Sequence, residues 1–321
     1  MNRDLSSRVY SKLFRILSRI GVAQRISVCL PSRLVGGRRF HIPVLMSVGL
    51  GNEQMGDSWA LEIISKLLPD CPGTFLDVGA NVGQTLLKVK SCSPDGPWLG
   101  FEPNPTCVMY LEKLIEVNRF NACSIIPAGL GAETGVKELE FYDDDPADKA
   151  ASLVKNFRPA QRILRRQWVP VLEFSALSRS GFNETIGFVK IDVEGGEKEV
   201  LESLQSVLEK FRPVVMLEIL PVYKEENRER LARQRAVEKQ FRGLDYTVCR
   251  IEKSPTDHYL GLRPMSEIGI HDQLVLSDYL AVPSERLEST LAKLGGTDGK
   301  VVAGRSPTQS TLQCLLKCVM L

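Results

Sequence analysis

The sequence predicts an α/β fold built on a mostly parallel, doubly wound β-sheet. An apolar run at 74–78 leads into a glycine-rich turn and then into helically spaced Leu86, Leu87 and Val89. Buried parallel strands read as continuous apolar runs, and their alternation with helices is typical of a parallel sheet. Similar apolar runs recur at 98–102, 123–127, 186–193 and 214–219.

The glycine-rich turn at 79–83 predicts a ligand site. Gly79 permits a backbone angle or a close approach that a side chain would block. The helix that follows presents unpaired N–H groups, and Asp77 ends the strand beside the crevice where such sheets bind ligands. A dinucleotide site needs G-x-G-x-x-G, but Asn81 stands between Gly79 and Gly83.

Later strands also end in polar motifs. Glu102, in the stretch F-E-P-N-P at 101–105, comes roughly 20 residues after the turn, where an acidic residue accepts hydrogen bonds from ribose hydroxyls. The fourth strand ends in V-K-I-D-V-E-G-G-E at 189–197, and R-P-V-V-M-L-E-I follows at 212–219. This ordered set, over about residues 70 to 280, resembles the FkbM-type methyltransferase family. The chain departs from the family at the third strand, where Ala132 stands in place of the usual Asp.

The resemblance implies a Rossmann-like class I methyltransferase fold. Its sheet would have seven mostly parallel strands, helices on both faces and an antiparallel last strand. The cofactor would be S-adenosylmethionine, and the acceptor a hydroxyl of a sugar, a glycan or a polyketide-like small molecule. The implied cofactor-binding residues are Asp77, Gly79, Asn81 and Gly83 at the methionine end, Glu102 at the ribose, Asn104 near the adenosine, and Gly129.

A hydroxyl is a poor nucleophile, so we expect a general base at the ligand edge of the sheet. The catalytic candidates are Asp192, Glu194 and His271, with Glu218, His258 and Tyr259 nearby in the predicted topology. Each has an alternative role: Asp192 could position the methionine amino group or cap a helix, Glu194 could act with Glu197 at a helix N-terminus, Glu218 could pair with Lys190, and His271 could be structural. The carboxylates could also bind a divalent ion that activates a substrate diol, but no dedicated ligand spacing appears, so we expect no metal.

Two other functions remain open at this point. One is a nicotinamide-dependent (NAD-type) oxidoreductase on a related fold, which the missing middle glycine disfavours. The other is a non-catalytic binding module, which the intact Asp77, Glu102 and Asp192 disfavour.

The flanks of the glycine turn predict further elements. Ser58 could cap a helix at 59–68, with Asp57 and Trp59 as candidates for a lid over the cofactor. Thr106 could cap the helix after the second strand. The polar insertion at 143–166 is either a solvated loop or a substrate-gripping one. The last strand is predicted at 273–276, which would put the whole loop at 251–271 over the active site.

The domain organisation is predicted as a lead-in at 1–57, a methyltransferase domain at 58–283 and a poorly ordered tail at 284–321. The first 40 residues hold nine Lys or Arg against Asp4 alone. Their apolar and basic residues fall on different helical faces up to about residue 20. This helix could dock on the domain, lie on an anionic membrane as a peripheral contact, or act as a transit peptide.

The composition bears on the cellular location and the partners of the protein. No apolar run is long enough to span a bilayer, and the eight cysteines include no C-x-x-C pair. Reduced cysteines and a cytoplasmic location, peripheral to a membrane at most, are therefore expected. A net charge of +2 does not indicate nucleic acid, and we expect none as a partner. Cys318 begins a terminal C-V-M-L that fits a prenylation signal, while the oligomeric state is left open.

Overall fold

The structure is a computed structural model that describes residues 27–53 and 56–295. The predicted amphipathic helix near 1–20 and Cys318 lie outside these ranges. The strands are β1 (Ser27–Val35), β2 (Arg38–Leu45), β3 (Thr74–Val78), β4 (Trp98–Phe101), β5 (Cys123–Ile126), β6 (Gly129–Leu130), β7 (Gly135–Phe141), β8 (Arg165–Leu172), β9 (Ile186–Ile191), β10 (Val214–Glu218), β11 (Tyr246–Lys253), β12 (Tyr259–Pro264) and β13 (Asp278–Pro283). The helices are α1 (Ser58–Leu67), α2 (Gln84–Cys92), α3 (Pro105–Asn118), α4 (Ser175–Arg179), α5 (Glu197–Ser203), α6 (Gln205–Phe211), α7 (Arg228–Gly243) and α8 (Leu287–Leu294).

The central sheet has the strand order β12-β11-β13-β10-β9-β3-β4-β5. Strands β10, β9, β3, β4 and β5 are mutually parallel, and β13 runs antiparallel to both of its neighbours. The order reverses direction between β3 and β9, which is the switch point where such sheets bind ligands. The predicted Rossmann-like α/β fold with an antiparallel last strand is confirmed.

Helices cover both faces of this sheet, as predicted. One buried apolar cluster joins the sheet to α1, α2 and α3 through Ile63, Leu86 and Leu111. The cluster on the other face joins it to α5, α6 and α7. The central strands are therefore covered on both faces, which explains why β3 and β9 are buried at every position.

Two details of the predicted sheet are wrong. The central sheet has an eighth strand, β12, which pairs with β11. The residues predicted as the last strand form a 3₁₀ turn at Leu274–Leu276, with Leu274 and Val275 exposed. The strand begins after that turn, at Asp278, because the run that follows is the one that is buried in the sheet.

Two predicted helix caps are also wrong. Helix α1 starts at Ser58 with Asp57 as the N-cap, in a left-handed conformation. The N-cap of α3 is Asn104, whose side-chain oxygen accepts a hydrogen bond from the Thr106 N–H at 3.1 Å. In both cases the capping position is one or two residues earlier than the sequence pattern suggested.

A three-stranded sheet with the order β6-β8-β7 stands beside the central sheet and carries the insertion between β7 and β8. The described part of the predicted tail contains helix α8, Leu287–Leu294. Within residues 27–53 and 56–295, we find no helix that combines the length and the apolar character needed to cross a membrane. The division into lead-in, domain and tail stays a prediction.

Candidate active site

A cavity of about 480 Å³ opens at the carboxyl ends of the parallel strands. Five of the predicted cofactor residues line it, namely Gly79, Asn81, Glu102, Asn104 and Gly129. Asp192, Glu194 and Glu218 line it as well. The size is within the range of about 300–1,000 Å³ that is usual for small-molecule and cofactor sites. The fold therefore brings most of the predicted site residues together in one cavity.

Glu102 is held at the wall of the cavity by two backbone groups. Its Oε2 accepts a hydrogen bond from the Asn81 N–H at 2.7 Å, and its Oε1 accepts one from the Asn104 N–H at 2.8 Å. Burial raises the pKa of Glu102 to about 7, although these two hydrogen bonds lower it. Each carboxylate oxygen keeps a further lone pair, so the group can accept two more hydrogen bonds.

Asp77 lies beneath the cavity and does not line it. The residue is fully buried, and the Nζ of Lys190 lies 3.4 Å from its Oδ1. Burial raises the pKa of Asp77, while Lys190 opposes this rise. Burial alone would lower the pKa of Lys190, but the carboxylates of Asp192 and Asp77 raise it above its usual value. Lys190 also donates to the carbonyl oxygen of Gly79 at 2.8 Å, so this cluster fixes the turn from below.

The two predicted glycines of the turn serve packing. Gly79 has a φ of +80°, and a Cβ there would lie 1.9 Å from the carbonyl oxygen of Asp192. Gly83 has a φ of +76°, and a Cβ there would lie 2.8 Å from side-chain atoms of Leu111 and Leu114. Gly83 does not line the cavity. Both glycines therefore allow the turn to approach β9 and α3 closely.

Three carboxyl groups meet at the ends of β9 and β10. Oxygens of Asp192, Glu194 and Glu218 lie within 4.8 Å of one another. Burial, followed by the charge of Asp192, raises the pKa of Glu194 to about 7 and that of Glu218 to about 10. Glu218 therefore favours its protonated form more strongly than Glu194 does, and the two carboxyl groups can act as proton donor and acceptor.

The same three oxygens are close enough to share a divalent cation. The sequence placed Glu218 at the same edge of the sheet, but its close approach to Asp192 and Glu194 depends on the pairing of β9 with β10. The alternative in which Glu218 pairs with Lys190 is wrong: Lys190 pairs with Asp77 and Asp192, while Glu218 accepts a hydrogen bond from the Ser277 hydroxyl at 3.1 Å.

His271 lies outside the cavity lining. Its Nε2 is 3.4 Å from the Tyr279 hydroxyl, and burial, with a smaller contribution from Arg250, lowers its pKa. His258 and Tyr259 do not line the cavity either. The prediction that the whole loop at 251–271 covers the site is wrong, because much of it forms the β11–β12 hairpin. Of its residues, Lys253 is the one that lines the cavity.

The insertion at 143–166 forms part of the cavity wall, so the interpretation as a solvated loop is wrong. Asn81 and Asn104 donate side-chain hydrogen bonds to the carbonyl oxygens of Ala147 and Pro146, at 3.3 and 2.8 Å. Farther along, Ser152 donates to the carbonyl oxygen of Glu194 at 2.7 Å. The insertion is therefore attached both to the glycine turn and to the acidic end of the cavity.

The predicted lid residues Asp57 and Trp59 line the cavity together with residues that the sequence did not single out. Lys88 on α2 is 3% exposed, and its Nζ lies 3.8 Å from the Asp57 carboxylate. Burial lowers the pKa of Lys88. Lys253 forms an ion pair with Asp278 and lies over the Trp59 ring. In the sequence, Lys88 stands between apolar helix residues and looks like a solvated side chain.

Fold and site together define a class I methyltransferase architecture: a switch-point cavity, a glycine turn and an acidic residue at the end of the second parallel strand. The family model for the methyltransferase FkbM domain matches residues 77–259. The chain belongs to the FkbM methyltransferase family, so the methyltransferase class is confirmed.

Curated relatives are distant. Methyltransferase 1 from Beauveria bassiana (strain ARSEF 2860) is 25% identical over 143 residues, which are 40% of this chain and 57% of that protein. Methyltransferase sdnD from Sordaria araneosa is 24% identical over 161 residues, or 43% of this chain and 62% of that protein. The matches thus span less than two thirds of either relative.

Similar solved structures include the methyltransferase FkbM from Methylobacillus flagellatus KT. It has a TM-score of 0.39 and 12% identity, over 65% of this chain and 43% of that one. The O-methyltransferase from Bacillus cereus in complex with SAH has a TM-score of 0.41 and 12% identity, over 70% and 80% of the two chains.

Proposed function

We propose that the protein transfers a methyl group from S-adenosylmethionine to a hydroxyl oxygen of a sugar, a glycan or a polyketide-like small molecule. The observation that carries this proposal is the pairing of two features in one cavity. Glu102 offers free carboxylate lone pairs at one end, and Glu194 and Glu218 form a proton acceptor and donor at the other. Bound S-adenosylmethionine would supply a methyl group on a positively charged sulfur, ready for in-line displacement.

The residues of the cavity fit this cofactor in charge and in hydrogen-bonding capacity. Glu102, fixed by two backbone N–H groups, would accept the two ribose hydroxyls. Lys88 is a buried cation, and its ion pair with Asp57 is long at 3.8 Å, so it would hold the carboxylate of the methionine part. The carboxyl groups of Asp192 and Glu194 would favour the positive ammonium and sulfonium groups.

Glu194 is the proposed general base. Its pKa of about 7 lets it be ionised in part at neutral pH and accept the hydroxyl proton as the oxygen attacks. Arg158 on the insertion pairs with Glu194 and lowers this pKa, which keeps the base available. Glu218, protonated at neutral pH, would donate a hydrogen bond to the acceptor or to Glu194 and hold the proton within the pair.

The acceptor class is inferred from the wall on this side of the cavity. Ser277, whose hydroxyl donates to Glu218, and Lys253, which pairs with Asp278, line the cavity on the side of the carboxyl groups. A molecule with several hydroxyl groups can satisfy such a surface, whereas a purely apolar one would leave it unpaired. An NAD-type oxidoreductase would need a G-x-G-x-x-G pattern, which this chain does not have at the glycine turn. A non-catalytic binding module would give no role to the raised pKa values of Glu102, Glu194 and Glu218.

The test is an acceptor screen with methyl-labelled S-adenosylmethionine over simple sugars, glycan fragments and hydroxylated polyketides. Magnetic resonance of the product then reports whether the new methyl group is on oxygen. The proposal predicts label on a hydroxyl oxygen and at least a tenfold loss with Glu194→Gln, as general-base removal commonly costs about 10²–10⁴-fold. Transfer to nitrogen or carbon, or full activity of Glu194→Gln, would contradict it.

A further inference from the structure

The N-terminal part of the chain carries an unusually one-sided charge. Between Asp4 and Glu53 there is no acidic residue, while residues 5–52 contain eight Lys or Arg. Three of these, Arg33, Arg38 and Arg39, belong to the hairpin of β1 and β2. None of these three arginines lines the cavity, so their charge does not directly contact a cofactor or acceptor bound there.

The turn of this hairpin projects an apolar side chain among its arginines. Gly36 and Gly37 form the turn with φ values of +53° and +81°. Leu34 is directly opposite Arg39 in the strand pairing, so both lie on the same face, and Leu34 is 60% exposed. Arg38 and Arg39 are exposed, and neither has an ion-pair partner among the residues that the structure describes.

A groove begins at the same turn and continues along the C-terminal end of α3. Arg38, Arg39 and Arg119 line it, and Asp95 is the one acidic residue in its lining. Lys90, at the bottom of the groove, is satisfied by three carbonyl oxygens, those of Pro94, Gly96 and Asn121 at 2.7–3.2 Å. Three arginines thus line one concave surface, and arginine is the residue type best suited to bind phosphate.

The hairpin is fixed in place on α3. The His41 N–H donates to the Asn118 side chain at 2.7 Å, and the Asn118 amide donates back to the His41 carbonyl at 2.8 Å. Phe40 of the hairpin packs edge-on against Phe120, which follows α3, with ring centroids 5.5 Å apart. The basic surface is therefore formed before any partner binds, which reduces the entropic cost of docking.

We propose that this surface, consisting of Leu34, Arg38, Arg39 and Arg119, docks on the anionic phospholipid headgroups of a membrane. Clustered arginines beside an exposed leucine match the boundary between headgroups and acyl chains. Residues 1–26 would be repelled by this surface, because they contain six Lys or Arg and one acid. Leu34, Arg38, Arg39 and Arg119 include no aromatic ring on which a base could stack, which disfavours single-stranded nucleic acid.

Docking would orient the active site. Asp95 and Asn121, which line the groove, come just before β4 and β5 and so lie at the amino ends of these strands. The cavity lies at the carboxyl ends, on the opposite edge of the sheet. The protein would therefore present its active site away from the bilayer, to an acceptor that arrives from the solvent side. This inference is independent of the proposed function.

The test uses the full-length protein and vesicle flotation. Vesicles of phosphatidylcholine alone are compared with vesicles that contain about 30% phosphatidylglycerol, a fraction that gives a negative surface potential. The variant is Arg38→Glu with Arg39→Glu. The control, Arg228→Glu with Arg235→Glu on α7, makes the same change in net charge at two exposed positions away from the groove.

We expect binding to the anionic vesicles alone, and a loss of at least about tenfold in the hairpin variant but not in the α7 control. Arg38→Gln with Arg39→Gln and the single change Leu34→Ser should weaken binding by smaller factors. Melting temperatures and S-adenosylhomocysteine affinity report whether the variants are folded. Equal binding of wild type and hairpin variant, no preference for anionic vesicles, or displacement from vesicles by double-stranded DNA at lower concentration than by phosphatidylglycerol would overturn the proposal.

Discussion

The guanidinium of Arg158, on the insertion between β7 and β8, donates a hydrogen bond to the carboxylate of Glu194 at the end of β9. The pair joins the insertion to the acidic end of the cavity. It also sets the ionisation of Glu194, because the positive charge of Arg158 opposes the rise in pKa that burial and Asp192 produce.

Arg158→Gln should move the pH dependence of methyl transfer. Removal of the positive charge raises the pKa of Glu194 above about 7, so a larger fraction is protonated at neutral pH. We expect the acidic limb of the profile of kcat to shift to higher pH, with a loss of roughly tenfold at pH 7 and partial recovery at pH 9. Arg162→Gln, an exposed change in the same insertion, is the control and should leave the profile unchanged. A uniform loss at every pH would contradict this role.

Lys190→Met should be strongly destabilising. The change leaves Asp77 fully buried without its cation, and a broken buried ion pair costs about 3–5 kcal/mol. The loss should shrink as the pH falls, because protonation of Asp77 removes the buried charge. Urea unfolding at pH 5 and pH 8 measures both effects. Lys198→Met, in the partly exposed pair with Glu202, should cost less than about 1 kcal/mol, and an equal loss in both variants would refute the argument.

Most of the parallel strands and the position of the cavity at the glycine turn could be predicted from the sequence, because the apolar runs and the glycine turn are local signals. The same holds for Glu102 and Asp192, each at a strand end. The roles of Lys88 and Arg158 could not be predicted, since they depend on contacts between segments far apart in the chain. Helically spaced leucines surround Lys88, and nothing local distinguishes Arg158 from other arginines of the insertion.

The error at the last strand has a related cause. Two apolar stretches follow each other at 274–276 and 279–282, and each is long enough to suggest a strand. The second stretch is the one that pairs with β10 and β11. This pairing depends on strands elsewhere in the chain, so the local pattern does not show it. His271 was expected at the start of this strand and is displaced from the cavity as a consequence.

Lys88→Gln should separate two parts of cofactor recognition. If Lys88 holds the methionine carboxylate, the variant should bind S-adenosylhomocysteine about 10- to 100-fold more weakly, because a charge-assisted hydrogen bond is worth about 1.5–3 kcal/mol. 5′-Methylthioadenosine lacks this carboxylate and should bind wild type and variant alike. The comparison needs calorimetry with both ligands. Equal weakening for both would mean that Lys88 acts through the fold of the cavity instead.

The free energy of unfolding of the ligand-free protein should fall between pH 5 and pH 8. Glu218 has a folded-state pKa of about 10 against an ordinary value of 4.5. Its stabilising contribution is therefore complete below pH 4.5 and is lost progressively as the pH rises toward 10. The slope should reach at most about 1.4 kcal/mol per pH unit for this group. Glu218→Gln should flatten the slope, whereas Glu225→Gln, at an exposed position, should leave it unchanged.

The central claim is that this cavity binds S-adenosylmethionine through Glu102, and calorimetric titration of S-adenosylhomocysteine tests it most directly. Ribose hydroxyls donate to the ionised form of Glu102, so affinity should rise with pH up to about 7 and then level off. We expect micromolar binding by the wild type, with about tenfold weaker and pH-independent binding by Glu102→Gln. No binding by the wild type at millimolar concentration, or stabilisation by NAD instead, would contradict the account.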